Sequence, residues 1–144
     1  MTPQRFSQWQ GWGITILRVV VGIVFVMHGG QKLFSYGFSG VAQFLGQAGI
    51  PAPMLSGVVV TAVEFLGGLA LLLGLFTCWA AMLLAIDMLG AIVTVHLQAG
   101  FFLPSGFEFA LTLLAANVTL ALAGPGAASL DMALSKRGVW PYAQ

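Results

Sequence analysis

The chain has 144 residues, of which 59% are hydrophobic and 6% are charged, and its formal net charge is +1. A soluble domain carries about 25% charged residues, so this chain has too few polar groups to cover a water-facing surface, and lipid is its expected solvent. Its five Lys and Arg residues form no basic run that could follow a phosphate backbone, which excludes a nucleic-acid-binding protein.

Four apolar segments follow one another, each close to the ~20 residues that an α-helix needs to cross a bilayer. They are residues 14–34, 56–76, 79–98 and 104–123. The second and third are separated only by a short turn, which predicts a tight antiparallel hairpin. The sequence therefore predicts an all-α fold, an antiparallel four-helix transmembrane bundle, as a single membrane domain over residues 1–144 with tails at 1–13 and 124–144.

The link between the first two segments contains VAQFLGQ, residues 41–47. Its pattern predicts a short amphipathic helix that lies on the membrane surface. The PAP at residues 51–53 predicts the end of that helix and the start of the next span.

The basic residues near the ends of the chain indicate its orientation. Arg5 precedes the first predicted span, and Lys136 and Arg137 follow the last one. An even number of spans puts both ends on one side, and the excess of Lys and Arg in these tails places both termini in the cytoplasm.

Most of the few charged residues lie inside the predicted spans, where an unpaired charge costs about 2.5–3.5 kcal/mol at the bilayer centre. We therefore expect them to face the bundle interior and to pair. They are Arg18, Lys32, Glu64, Asp87 and Glu108, and both histidines, His28 and His96, lie in the spans as well.

With the termini inside, most of these groups fall in the outer half of the membrane, with Asp87 near the middle. We predict a ligand-binding or buried polar cluster of six residues, in which Lys32 contacts Glu64 or Glu108. At 100° per residue His96 is half a turn from Asp87, so either it faces a different neighbour or the helix is distorted there. The cluster comprises His28, Lys32, Glu64, His96, Glu108 and Asp87.

Arg18 is the one charge that lies alone in the inner half. It shares a face of the first span with Gly22, Gly29 and Lys32, and small residues there let helices approach closely. The GPG at residues 124–126 breaks the last helix, so the following segment can fold back. We predict a structural ion pair between Arg18 and Asp131; the alternative is that Arg18 reaches out to water or lipid phosphate.

Three stretches of the sequence together resemble the DoxX family: LRVVVGIVFVMHGGQKL, AVEFLGGLALLLGLFT and GPGAASLD. The resemblance covers roughly residues 15–131 and implies a small four-helix protein of the bacterial cytoplasmic (inner) membrane. Some members are linked to membrane oxidoreductases, including a quinone-reducing thiosulfate oxidase and a thiol- and superoxide-linked complex. The matching positions are Arg18, His28, Gly29, Lys32, Glu64, Gly68, Asp87, Glu108, Ser129 and Asp131.

The first functional hypothesis is a redox-linked membrane subunit whose polar cluster binds a quinone or another small molecule. His and Lys side chains can donate hydrogen bonds to a quinone carbonyl, and Glu can exchange its protons. The structural alternative is that the same residues form a buried ion-pair network that only fixes how the helices pack.

Two further hypotheses use other features of the chain. His28 and His96 could ligate a haem axially, but His96 lies off the main polar face of its helix, which makes this the weaker hypothesis. No H-x-x-x-H spacing predicts another metal site.

The other hypothesis is a non-catalytic partner or assembly subunit of another membrane or redox protein, or a homo-oligomer. The small size and many glycines of the chain favour this hypothesis as much as they favour the redox-linked subunit.

Overall fold

The computed structural model describes residues 3–138, with the side chains of residues 3, 4 and 6 excepted. Parts of the predicted tails, residues 1–2 and 139–144, lie outside the described residues. Six α-helices follow in chain order: α1 Pro3–Gly30, α2 Gly37–Gln47, α3 Pro53–Leu73, α4 Thr77–Ala91, α5 Glu108–Ala123 and α6 Leu130–Lys136. Helix α1 continues as a π-helical segment, Gln31–Tyr36, and α4 continues through the π-helical Ile92–His96 into a 3-10 turn, Leu97–Ala99.

The prediction of an all-helical membrane protein is confirmed. The described part of the chain contains no strand, and three helical stretches are long and apolar enough to cross a membrane: Ser7–Gln47, Pro53–Leu73 and Thr77–Ala99. Helix α5 has 16 residues and is therefore about 24 Å long, shorter than the ~30 Å of hydrocarbon in a typical bilayer. The count of four spans stays a prediction.

The helices form a ring in which α1 packs against α3, α3 against α4, α4 against α5, and α5 against α1. Helix α2 lies against α3 outside this ring. Buried apolar side chains from the four ring helices fill the centre, among them Phe25, Leu71, Leu84 and Leu120, which are 0–1% exposed.

The close contact of α1 with α3 depends on glycines. A Cβ atom on Gly29 would lie 2.5 Å from the backbone nitrogen of Phe65, and one on Gly68 would lie 2.6 Å from that of Val26. Such distances leave no room for a side chain, so the two backbones touch, as small residues permit at helix interfaces in lipid. The small-residue face predicted on the first span is thus the face that packs on α3.

The predicted short helix between the first two spans is present as α2, which begins at Gly37, earlier than expected. It buries Val41, Ala42 and Leu45, and the first two pack on Gly57 of α3. Phe44, on its other side, is exposed. The helix therefore has one face for the bundle and one for its surroundings, and its location on the membrane surface stays a prediction.

The link from α4 to α5 folds back beside the end of α4. Its backbone groups pair locally: Gly106 N–H donates to Phe102 O, Phe107 N–H to Gly100 O, and Glu108 N–H to Phe101 O, all at 3.0 Å. Irregular backbone at membrane depth is tolerated only where its polar groups are satisfied within the protein. These hydrogen bonds meet that need for the groups that they join.

Candidate functional site

The ion pair between Lys32 and Glu64 lies in the seam between α1 and α3. Lys32 Nζ donates to Glu64 Oε2 at 2.5 Å, and the Glu64 side chain is 6% exposed. Glu64 is about 16 Å along the helix from Pro53 and about 14 Å from Leu73, so the pair is close to half the depth of α3. Lys32 was predicted to contact Glu64 or Glu108, and in the structure it contacts Glu64.

Asp87 occupies the matching level of α4, about 15 Å along the helix from Thr77. It interacts electrostatically with both Glu64 and Lys32. Its Oδ2 atom is buried and accepts no hydrogen bond from any described residue. We refer to Lys32, Glu64 and Asp87 as the mid-depth cluster; it combines one cationic side chain with two carboxyl groups, one of which lacks a partner.

His28 is not part of this cluster. Its side chain is exposed, and its ring centroid lies 6.1 Å from that of Phe109 at the start of α5. It lines an open groove of about 580 Å³ along the outer side of α1, which Gln31, Phe34 and Phe65 also line. His28 was predicted to belong to the cluster, but residue 28 is about 100° around the helix from Gly29, which marks the face toward α3. Its side chain therefore points away from the mid-depth cluster.

His96 and Glu108 serve the link between α4 and α5. His96 Nδ1–H donates to Ser105 O at 2.9 Å, and Glu108 Oε1 accepts from the Leu103 N–H at 2.8 Å. Glu108 is the first residue of α5, so its carboxylate binds backbone of the link instead of facing across the bundle. Neither residue pairs with Lys32, and the predicted cluster of six is therefore reduced to its three mid-depth members.

The direct ion pair predicted between Arg18 and Asp131 does not form, although the two charges interact electrostatically. Arg18 Nη1 donates to Pro125 O at 2.8 Å and Nη2 donates to Ala128 O at 2.7 Å, and no salt bridge joins the arginine to Asp131. The helix break leaves carbonyl groups of residues 125 and 128 without helical partners, and the guanidinium binds these carbonyls. The predicted fold-back of this segment toward Arg18 is nevertheless present.

Asp131 binds the turn between α3 and α4. Its Oδ1 accepts from Phe76 N–H and its Oδ2 from Thr77 N–H, both at 2.9 Å, which satisfies donors that a helix start leaves without partners. Its own N–H donates to Gly74 O at 2.8 Å. Gly74, which sequence reasoning missed, has φ of +66°, and a Cβ there would collide with the Arg18 guanidinium.

The described residues contain no group of three or more His, Cys, Asp or Glu that could hold a metal ion. The haem hypothesis also gains no support, because His28 is exposed and lies against Phe109, whereas His96 binds the link after α4.

Three apolar membrane-length helices, a fourth shorter one and a charge cluster buried among them define a small all-helical integral membrane protein. The DoxX family profile matches residues 13–97, and the chain belongs to this family. The predicted resemblance is thus confirmed.

Curated relatives match over most of their length. The chain is 39% identical to "Putative oxidoreductase CatD" of Bacillus subtilis over 119 residues, and these residues make up 83% of this chain and 84% of that protein. It is 38% identical over 135 residues to "Uncharacterized membrane protein Rv3486" of Mycobacterium tuberculosis, covering 86% and 82%. It is 31% identical over 124 residues to "Inner membrane protein YphA" of Escherichia coli, covering 82% and 87%. No solved structure matches the chain.

Proposed function

We propose that this DoxX-family protein is a redox-linked subunit of the bacterial cytoplasmic membrane that binds a quinone or another small lipid-soluble molecule at the mid-depth cluster. The observation that carries the proposal is the buried Asp87 Oδ2 atom, which has no hydrogen-bond partner among the described residues. A buried acceptor without a partner costs about 1–3 kcal/mol. A hydroxyl group of the reduced quinone, or of another ligand, that donates to this atom would remove that cost.

The position of the cluster also supports a ligand. Ionisable residues inside membrane proteins typically mark ligand sites or proton pathways. Lys32 is already paired with Glu64, so the carboxyl group of Asp87 is the member that is available for a proton from a bound hydroxyl. Electrons from such a ligand would pass to a redox partner protein. The relative that is named "Putative oxidoreductase CatD" supports a redox role in general.

A binding measurement tests the proposal. The full chain in lipid nanodiscs would be titrated with ubiquinol-1 and with menadiol, for the native protein, for Asp87→Asn and for Thr94→Val. Thr94 is the matched control, because it is exposed on the same helix and its hydroxyl donates only to Gly90 O. We expect saturable binding that Asp87→Asn weakens about tenfold, equivalent to about 1.4 kcal/mol, and that Thr94→Val leaves unchanged. Absence of saturable binding to the native protein, or equal affinities for all three, would contradict the proposal.

A second candidate is a non-catalytic partner or assembly subunit of another membrane complex. The observation in its favour is the large exposure of aromatic side chains at the end of the bundle where α1 and α4 finish, with Phe34 78% and Phe102 77% exposed. Chemical crosslinking in intact membranes would test it, since a stable partner should be captured by residues of that end and lost in Phe102→Ser.

A further inference from the structure

The first turns of α1 present a cavity of about 820 Å³ lined by Arg5, Gln8, Trp9 and Trp12. Their spacing of three and four residues puts all four on one face of the helix. Trp9 is 66% and Trp12 54% exposed, and none of the four side chains has a hydrogen bond or ion pair within residues 3–138. The cavity is therefore open outward, with a cation, an amide and two indole N–H groups available.

The position of this cavity is set by the packing of α1 at Arg18. Arg18 lies beside Gly74, where α3 ends, and Trp12 and Trp9 lie about 9 Å and about 14 Å further along α1. This stretch of α1 thus extends beyond the turn between α3 and α4. Trp residues are enriched at the level of the lipid head groups, so the cavity is placed where head groups would meet it.

The charges at this end of the molecule favour an anion. Lys136 at the end of α6 and Arg137 directly after it are exposed like Arg5. They lie at the same end of the molecule, because the segment that leads into α6 is bound to α1 by a hydrogen bond from Ala127 N–H to Gly11 O at 3.0 Å. The acid nearby, Asp131, is 2% exposed, and both of its oxygens accept backbone hydrogen bonds. The exposed cations at this end therefore have no acidic side chain to neutralise them among the described residues.

We propose that this cavity binds the head group of an anionic phospholipid, with the phosphate on Arg5 and Gln8 and the glycerol and upper acyl chains against Trp9 and Trp12. The charge selects an anion, the two exposed indole rings select an attached apolar chain, and a membrane lipid supplies both in one molecule. Such a site fixes the depth of α1 in the bilayer and is independent of the mid-depth cluster.

Native mass spectrometry of the delipidated full chain tests this proposal, with phosphatidylglycerol and phosphatidylcholine of equal chain length as probes. The variants are Arg5→Gln and Trp9→Leu, and the matched control is Arg137→Gln, which removes an exposed cation of the same end outside the cavity. One Lys or Arg near an anionic lipid surface contributes about 1 kcal/mol, which corresponds to about fivefold in affinity.

We expect the native protein to prefer phosphatidylglycerol, Arg5→Gln to lose about fivefold of that affinity, Trp9→Leu to weaken both lipids, and Arg137→Gln to change little. Equal retention of both lipids by the native protein would overturn the proposal, as would equal losses in Arg5→Gln and Arg137→Gln. Displacement of the lipid by millimolar inorganic phosphate would also overturn it, because the site would then recognise a free anion. A melting temperature measured for each variant ensures that the comparison is made between folded proteins.

Discussion

Replacement of Asp131 by alanine should destabilise the protein more than the loss of any other single side chain outside the bundle core. Asp131 belongs to the short helix α6, yet its carboxylate accepts the Phe76 and Thr77 N–H groups at 2.9 Å each. Phe76, the residue that precedes α4, provides no side-chain cap of its own. The carboxylate therefore caps α4 from a distance of more than fifty residues in the sequence.

The magnitude follows from these two hydrogen bonds. A hydrogen bond to a charged group contributes about 1.5–3 kcal/mol, and alanine removes both of these hydrogen bonds, so the free energy of unfolding should fall by about 3 kcal/mol. For a chain of this size that corresponds to about 6–12 °C in melting temperature. Asp131→Asn keeps one acceptor oxygen and should lose about half as much.

Circular dichroism melts in one detergent would measure the effect for both variants, with Lys136→Ala as the control. Lys136 is in the same helix but exposed, and its replacement should change the melting temperature by no more than 2 °C or so, as for ordinary surface changes. If Asp131→Ala melted within the same margin as Lys136→Ala, the assignment of Asp131 as the cap of α4 would be refuted.

Three other predictions can be checked with the same purified protein or with fusions. Glu64→Gln leaves the Lys32 charge without its partner and should lower stability by about 3 kcal/mol, and adding Lys32→Gln should restore much of it; no recovery in the double variant would argue against the pair. Gly68→Ala should separate α1 from α3 and lower the melting temperature sharply, whereas Gly90→Ala, where a Cβ meets nothing within 4 Å, should leave it unchanged or raise it slightly; equal melts would disprove the close contact. A reporter fused after Gln144 should be active only in its cytoplasmic form, and activity of a periplasmic reporter would reverse the proposed orientation.

The parts of the site that could be predicted from sequence are those fixed by helical periodicity. Lys32 and Glu64 lie on small-residue faces of adjacent helices, so a charge on one face finds its partner on the other. The same periodicity identified Gly29 as an interface residue, because the face follows from spacing alone.

The parts that were missed depend on where helices end. Glu108 was expected inside a span, but α5 begins at that residue, so its side chain binds the preceding link. Asp131 was assigned to Arg18 because their charges are opposite, whereas the broken helix and the start of α4 offered carbonyl and N–H groups that compete for the same side chains. Hydropathy shows how many apolar residues are available but not which backbone groups lack partners at a helix end.

The measurement that tests the central claim most directly is photocrosslinking with an azido-quinol in nanodiscs, followed by mass spectrometry of the labelled peptides. If the mid-depth cluster binds the ring, saturable labels should fall on α3 and α4 near Glu64 and Asp87, and excess ubiquinol-1 should prevent them. Labels that do not saturate, or that fall only on lipid-facing residues distant from the cluster, would contradict the account.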